Sequence, residues 1–204
     1  MVTNFKLRTD GSAYEVLRSF TALAGDGAYP GLLASDGAGY LFGTTQDGGP
    51  PGGPMVFRLK TDGTEFTVLH RFPDGTPGGF LIALDGRGNV IGTTSAGGVS
   101  NLGTLFTLKT DGTGFALLHE FTGYPTEGSN PMAPPLRRGN TLYGTTEGGG
   151  VGRAGTVYAL VNPQWKGGDT PAIYRSSDRS WYLKNSNVGG AADLVFPYGD
   201  PSDQ

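Results

Sequence analysis

GTLFTLKTDGTGF, residues 103–115, is a line that this chain carries three times. The earlier versions are VTNFKLRTDGSAY at 2–14 and PMVFRLKTDGTEF at 54–66. Their Thr-Asp-Gly triplets start at Thr9, Thr61 and Thr110, hence steps of 52 and 49 residues. Gly-Thr-Thr recurs in step at Gly43, Gly92 and Gly144, so the repeating object is about 50 residues long with several fixed elements. A period of that size marks a stacked or radial array of supersecondary units. The expected fold is all-β, a β-propeller-like array of four-stranded antiparallel blades.

Four strands are legible in each repeat. The first is FKLR at 5–8, FRLK at 57–60 and FTLK at 106–109, apolar and polar in alternation as in a half-buried strand. Asp-Gly at 10–11, 62–63 and 111–112 tolerates positive φ and turns the chain. The return strand carries Tyr14, Val16 and Phe20, then Phe66, Val68 and Phe72, then Phe115, Leu117 and Phe121. Alternation predicts that each trio shares a core face. The third strand covers 31–34, 80–84 and 135–137, and the fourth 40–45, 89–94 and 141–146. Glycine weakens a strand interior unless something approaches closely, so Gly43, Gly92 and Gly144 predict a crowded contact. Glycine-rich loops at 46–53, 95–102 and 147–154 lead to the next repeat. The expected blades are 1–53, 54–102 and 103–154, with a fourth begun at 155–161 and completed by a divergent tail, 162–204. That tail holds three more strand-like runs, at 171–175, 180–185 and 192–196.

Composition narrows the function. Charged residues make 16 % of the chain and the formal net charge is −3, which gives a phosphate backbone no basic stripe, so nucleic-acid binding is not expected. With no cysteine there are no disulfides, thiolate metal sites or cysteine nucleophile. No apolar run reaches the 18 residues of a membrane span. Neither a secretion signal nor an anchor is present in these residues, and Met1 runs almost directly into the first repeat, as in a cropped chain.

Residues 1–161 resemble the GloVer-type tandem repeats of bacterial secreted and surface proteins, on Phe106, Asp111-Gly112, 118–121 (LHEF) and 143–146 (YGTT). That resemblance implies a β-propeller, an extracellular or cell-surface location and no catalytic residues. Residues 169–203 resemble one unit of the FG-GAP or VCBS-like repeats, on 174–177 (YRSS), 181–183 (WYL), 185–187 (NSN) and 196–199 (FPYG). Such units carry a calcium loop of alternating aspartates. Here its place is taken by QWKGGD at 164–169, with a single carboxylate, so calcium binding is not carried over.

No constellation marks a reaction. His70 and His119 sit at equivalent points of two repeats, where the first repeat has Arg18, and read as consensus residues packed among aromatics. GVGRAG at 150–155 spells a dinucleotide fingerprint but precedes a strand rather than a helix, and reads as an inter-blade loop. Asp10, Asp62 and Asp111 read as turn residues. Nothing singles out a carboxylate pair among Asp26, Asp47, Asp74, Glu127 and Glu147. The tail aromatics Trp165, Tyr174, Trp181, Tyr182, Phe196 and Tyr198 read mainly as packing of the last blade. The expected function is a non-catalytic extracellular binding or surface-display module without cofactor or metal, facing a glycan or a surface protein. The alternative is a structural subunit that polymerises with other copies into a fibre through open β edges. The expected ligand rim is Thr44, Thr45, Thr93, Thr94, Thr145 and Thr146, with Trp165 and Trp181 in the tail.

Overall fold

The structure is a computed structural model; it describes residues 2–23, 25–48, 52–73, 76, 80–162, 172–175, 180–183 and 194–197. Described residues form antiparallel strands and no helix. Sheet I pairs β1 (Val2–Lys6) with β2 (Glu15–Phe20). Sheet II runs in order through β3 (Ala28–Ser35), β4 (Tyr40–Asp47), β5 (Met55–Lys60) and β6 (Thr67–Arg71). Sheet III repeats this with β7 (Phe80–Leu84), β8 (Asn89–Thr94), β9 (Thr104–Lys109) and β10 (Ala116–Glu120). In sheet IV the third strand is split into β11 (Gly128–Pro131) and β12 (Leu136–Arg138), both pairing β13 (Thr141–Gly149), whose other edge pairs β14 (Thr156–Val161). Sheet V is β15 (Ala172–Arg175), β16 (Ser180–Leu183) and β17 (Leu194–Pro197).

The all-β, four-stranded architecture is the expected one, but sheet and repeat are out of phase by half a unit. Sheet II joins the third and fourth strands of the first repeat to the first and second of the next. Blade limits after 53, 102 and 154 therefore fall inside sheets II, III and IV. The glycine-rich loops that follow the fourth strands are hairpins within a sheet, and the crossings between sheets lie at 21–27, 72–79 and 121–127. The physical reason is in the ladders: β4 pairs β5 from Tyr40↔Lys60 to Thr45↔Met55, a full register that ties strand four to the strand following it. The chain is an open succession of sheets, not a closed ring, among its described residues.

The second strands also differ from simple alternation. In β2, β6 and β10 the register slips, leaving Leu17, Leu69 and Leu118 as the extra, unpaired residue of a β-bulge. The bulge splits each predicted trio. Phe66 and Val68 pack towards sheet I with Leu17 and Phe20, whereas Leu69 and Phe72 pack the opposite way, on Phe106 and Leu108 of sheet III. Phe121 and Leu118 in turn cover Leu142, Tyr158 and Leu160 of sheet IV. One leucine and one phenylalanine from each second strand thus cover the next sheet, and the core is a chain of such interfaces. Among the large side chains Phe57, Phe106, Leu59 and Leu108 are fully buried.

Candidate functional site

Most of the repeated Gly-Thr-Thr is buried and fastens strands and sheets together. The rings of Phe57, Phe106 and Tyr158, the cross-strand partners of Gly43, Gly92 and Gly144, lie over those glycines. A Cβ on Gly43 would stand 2.5 Å from the Phe57 ring, with less room still at Gly92 and Gly144. The expected close approach is therefore that of a neighbouring aromatic ring. Thr44 donates to the carbonyl of Phe80 at 3.0 Å and Thr93 to that of Ala133 at 3.2 Å, each reaching the following sheet. Thr45, Thr94 and Thr146 accept the amides of Met55, Thr104 and Thr156 at 3.3, 3.0 and 3.0 Å, closing the β4–β5, β8–β9 and β13–β14 hairpins. Thr44, Thr45, Thr93, Thr94 and Thr146 are all buried. Of the six predicted threonines only Thr145 stays on the surface. Trp165 lies outside the described residues, as does the side chain of Trp181.

The turn aspartates are as expected. Asp10, Asp62 and Asp111 each accept the backbone amide two residues on, at 2.9, 2.9 and 2.8 Å, together with the hydroxyl of Ser12, Thr64 or Thr113. Those hydrogen bonds hold the three carboxyls below the ordinary carboxylate range. GVGRAG lies in the β13–β14 hairpin and faces no helix, a turn within a sheet instead of the inter-blade loop expected.

Two of the three loops between sheets carry a second recurrent device. Asp26 accepts the amide and hydroxyl of Thr21 at 2.7 and 2.6 Å and pairs with Arg18. Glu127 accepts the amide and hydroxyl of Thr122 at 2.8 and 2.7 Å and pairs with His119. Burial opposes charge on both carboxylates, but the contacts with Thr21 and Arg18 at Asp26, and with Thr122 and His119 at Glu127, outweigh it and hold them below the ordinary range. Arg18 also lies over the Phe66 ring, 3.6 Å from its centroid. The middle repeat is built differently. Pro73 replaces the threonine and has neither amide proton nor hydroxyl to donate. His70 there stacks flat on Phe115 of the following repeat, 3.7 Å between centroids, and meets Phe72 edge-on at 4.8 Å. Burial disfavours the imidazolium and holds His70 below the usual histidine range. Asp74 lies outside the described residues.

A cleft of about 500 Å³ opens beside this altered position, lined by His70, Phe72, Thr94, Asn101, Phe115 and Leu117 among others. Leu117 is half exposed at its mouth. Asn101 sits in the β8–β9 loop with φ +54°, its carboxamide oxygen held by the Gly97 amide at 2.9 Å. Sequence reading placed His70 among aromatics but missed the cleft, whose only linear signal is proline at 73 where the other repeats have Thr21 and Thr122. No group of three or more potential metal ligands occurs among the described residues.

The model of a family described as "Gloeobacter/Verrucomicrobia repeat" matches residues 2–179, running past the expected limit at 161 to take in β15. No curated protein matches the chain. Among solved structures it is similar to a chain of a nidogen/laminin complex, at 17 % identity and a TM-score of 0.49, covering 92 % of this chain and 68 % of that one. It is also similar to TolB from Acinetobacter baumannii, at 13 % identity and a TM-score of 0.50 over 89 % of this chain, and spans 42 % of that protein. Both are propeller-type proteins.

Proposed function

The chain belongs to the Gloeobacter/Verrucomicrobia repeat family, and from that premise we propose that it is a non-catalytic extracellular or cell-surface binding module that takes a sugar ring in the cleft between sheets II and III. The observation carrying this reading is the cleft itself: an aromatic floor of His70, Phe72 and Phe115, with the Asn101 carboxamide at its edge. Apolar walls with a few fixed polar groups are the usual make-up of a ligand pocket, and about 500 Å³ lies in the usual range. A non-catalytic role is supported by the carboxylates whose bonds are described above: Asp10, Asp26, Asp62, Asp111 and Glu127 each fix a turn or loop.

The test is a titration with soluble oligosaccharides, followed through the His70 imidazole resonances. Leu117→Arg at the half-exposed mouth leaves the sheets intact and blocks entry. The expected result is a saturable shift of His70, with affinity at least roughly tenfold weaker in the variant. No shift with any sugar, or equal binding by both proteins, contradicts the proposal. The structural-subunit reading draws on a separate observation, the exposed apolar side chains of Phe5 and Val16 in sheet I and of Leu7 and Tyr14 in the loop joining its strands. Such a face beside an open strand edge is a site for pairing with another copy.

A further inference from the structure

The crossing from sheet I to sheet II shows what this fold does with a charge beside an aromatic ring: Arg18 lies on Phe66 and pairs with Asp26. At the crossing from sheet II to sheet III, His70 takes the place of Arg18 and stacks on Phe115, and glycine stands at 78 where the other crossings have Asp26 and Glu127. The following strand brings a different carboxylate. Arg71 and Glu120 hold one position of the repeat, directly before Phe72 and Phe121. The Arg71 guanidinium reaches back to the loop that enters its own sheet and donates to the carbonyl of Gly25 at 3.0 Å. Glu120 lies over Gly98, its Oε1 3.2 Å from where a Cβ on that glycine would stand, and Gly98 lines the cleft together with Pro73 and Thr76 of the entering loop. Arg71 thus has a partner, but the Glu120 carboxylate accepts no hydrogen bond and joins no ion pair among the described residues.

An unpartnered carboxylate at the edge of an aromatic cleft favours a positively charged occupant. The described residues lining the cleft include no lysine or arginine, and burial disfavours a charge on His70, the one titratable side chain among them. The hydroxyls of Thr94 and Thr104 bond each other at 2.8 Å. Asn101 spends its carboxamide oxygen on the Gly97 amide and keeps its NH2 to donate to a hydroxyl of the ligand. We infer that the cleft takes a sugar carrying a free ammonium group, an amino sugar, with the ammonium at Glu120 and the ring on the aromatic floor of Phe72 and Phe115. An ammonium beside those rings is also drawn to their π faces. This inference rests on the reading of the cleft as a sugar site and adds the charge of the sugar. An N-acetylated ring offers the same apolar face but covers Glu120 without pairing it, which discriminates against it.

Titration of the full chain with chitosan tetrasaccharide, and separately with its fully N-acetylated counterpart, tests the inference. The His70 imidazole resonances are followed at mildly acidic pH, where the sugar amines are protonated. The free-amine sugar is expected to bind at least roughly tenfold more tightly than the acetylated one, with an advantage that shrinks as salt is added. Glu120→Gln keeps the shape and removes the charge, and Glu120→Arg places there the residue type that Arg71 supplies in sheet II. Glu120→Gln is expected to bind the two sugars equally and Glu120→Arg to disfavour the free amine, with thermal midpoints close to the parent's. Equal or tighter binding of the acetylated sugar by the parent protein overturns the inference, as does a preference for the free amine that survives Glu120→Gln; either result leaves the cleft as a sugar site. Binding of neither sugar removes the sugar site itself, and this inference with it.

Discussion

At the residue scale, single side chains fasten the sheets. Gly92→Ala drives a methyl into the buried Phe106 ring and is expected to cost about 1–3 kcal/mol in urea unfolding, as overpacked cores do. Phe106→Leu in the same chain is expected to recover part of that loss, since the two sites touch. Asp85, in the β7–β8 turn, pairs with Arg137 of β12 with both side chains nearly out of solvent. Burial raises the Asp85 pKa, but bonds from Asn89, the Arg87 amide and Arg137 more than offset it and hold the carboxyl below its usual 3.8. A depressed carboxyl stabilises the fold above the unfolded pKa and loses that contribution as pH falls through the folded one. Thermal midpoints should therefore hold from neutral pH to about 5 and fall below about 4. Asp85→Ala, which removes the carboxylate facing the buried Arg137 guanidinium, is expected to cost about 3–5 kcal/mol at pH 7. The aspartate turns were legible because Asp-Gly followed by Ser or Thr is a local pattern. The Asp85–Arg137 pair was not, because its members are 52 residues apart in sequence.

At the element scale, repeat and sheet differ by half a period, and this inverts the meaning of the threonines. Strand existence was legible from alternation and from the turn glycines: β7 and β8 lie where the sequence places them, at 80–84 and 89–94. Phase was not legible, because a repeat has no marked origin and the ladder joining strand four to the next strand one is a property of pairing. The bulges at Leu17, Leu69 and Leu118 were hidden for the same reason, since a bulge is defined against the partner strand. Thr44→Val and Thr93→Val keep shape but leave the carbonyls of Phe80 and Ala133 without these hydroxyls. Each is expected to cost about 1–3 kcal/mol in chemical unfolding. Thr145→Val, the same change on the exposed threonine, should stay within about 0.5 kcal/mol. Equal losses at all three positions would contradict the inter-sheet role of Thr44 and Thr93.

At the scale of the whole molecule, the repeat pattern predicted a succession of four-stranded antiparallel sheets, and the family match and the likeness of fold to TolB agree with it. The cleft was beyond sequence reading because it depends on an exception, Pro73, at a loop where two other repeats clamp a carboxylate. A binding module and a subunit that polymerises make opposite demands on the edge of β1. Light scattering on the full chain across a hundredfold range of concentration separates them most directly. A constant 21.2 kDa species is the result predicted for a self-contained module. A ladder of multiples growing with concentration would contradict it and leave the exposed face of Phe5, Leu7 and Tyr14 as a contact between copies.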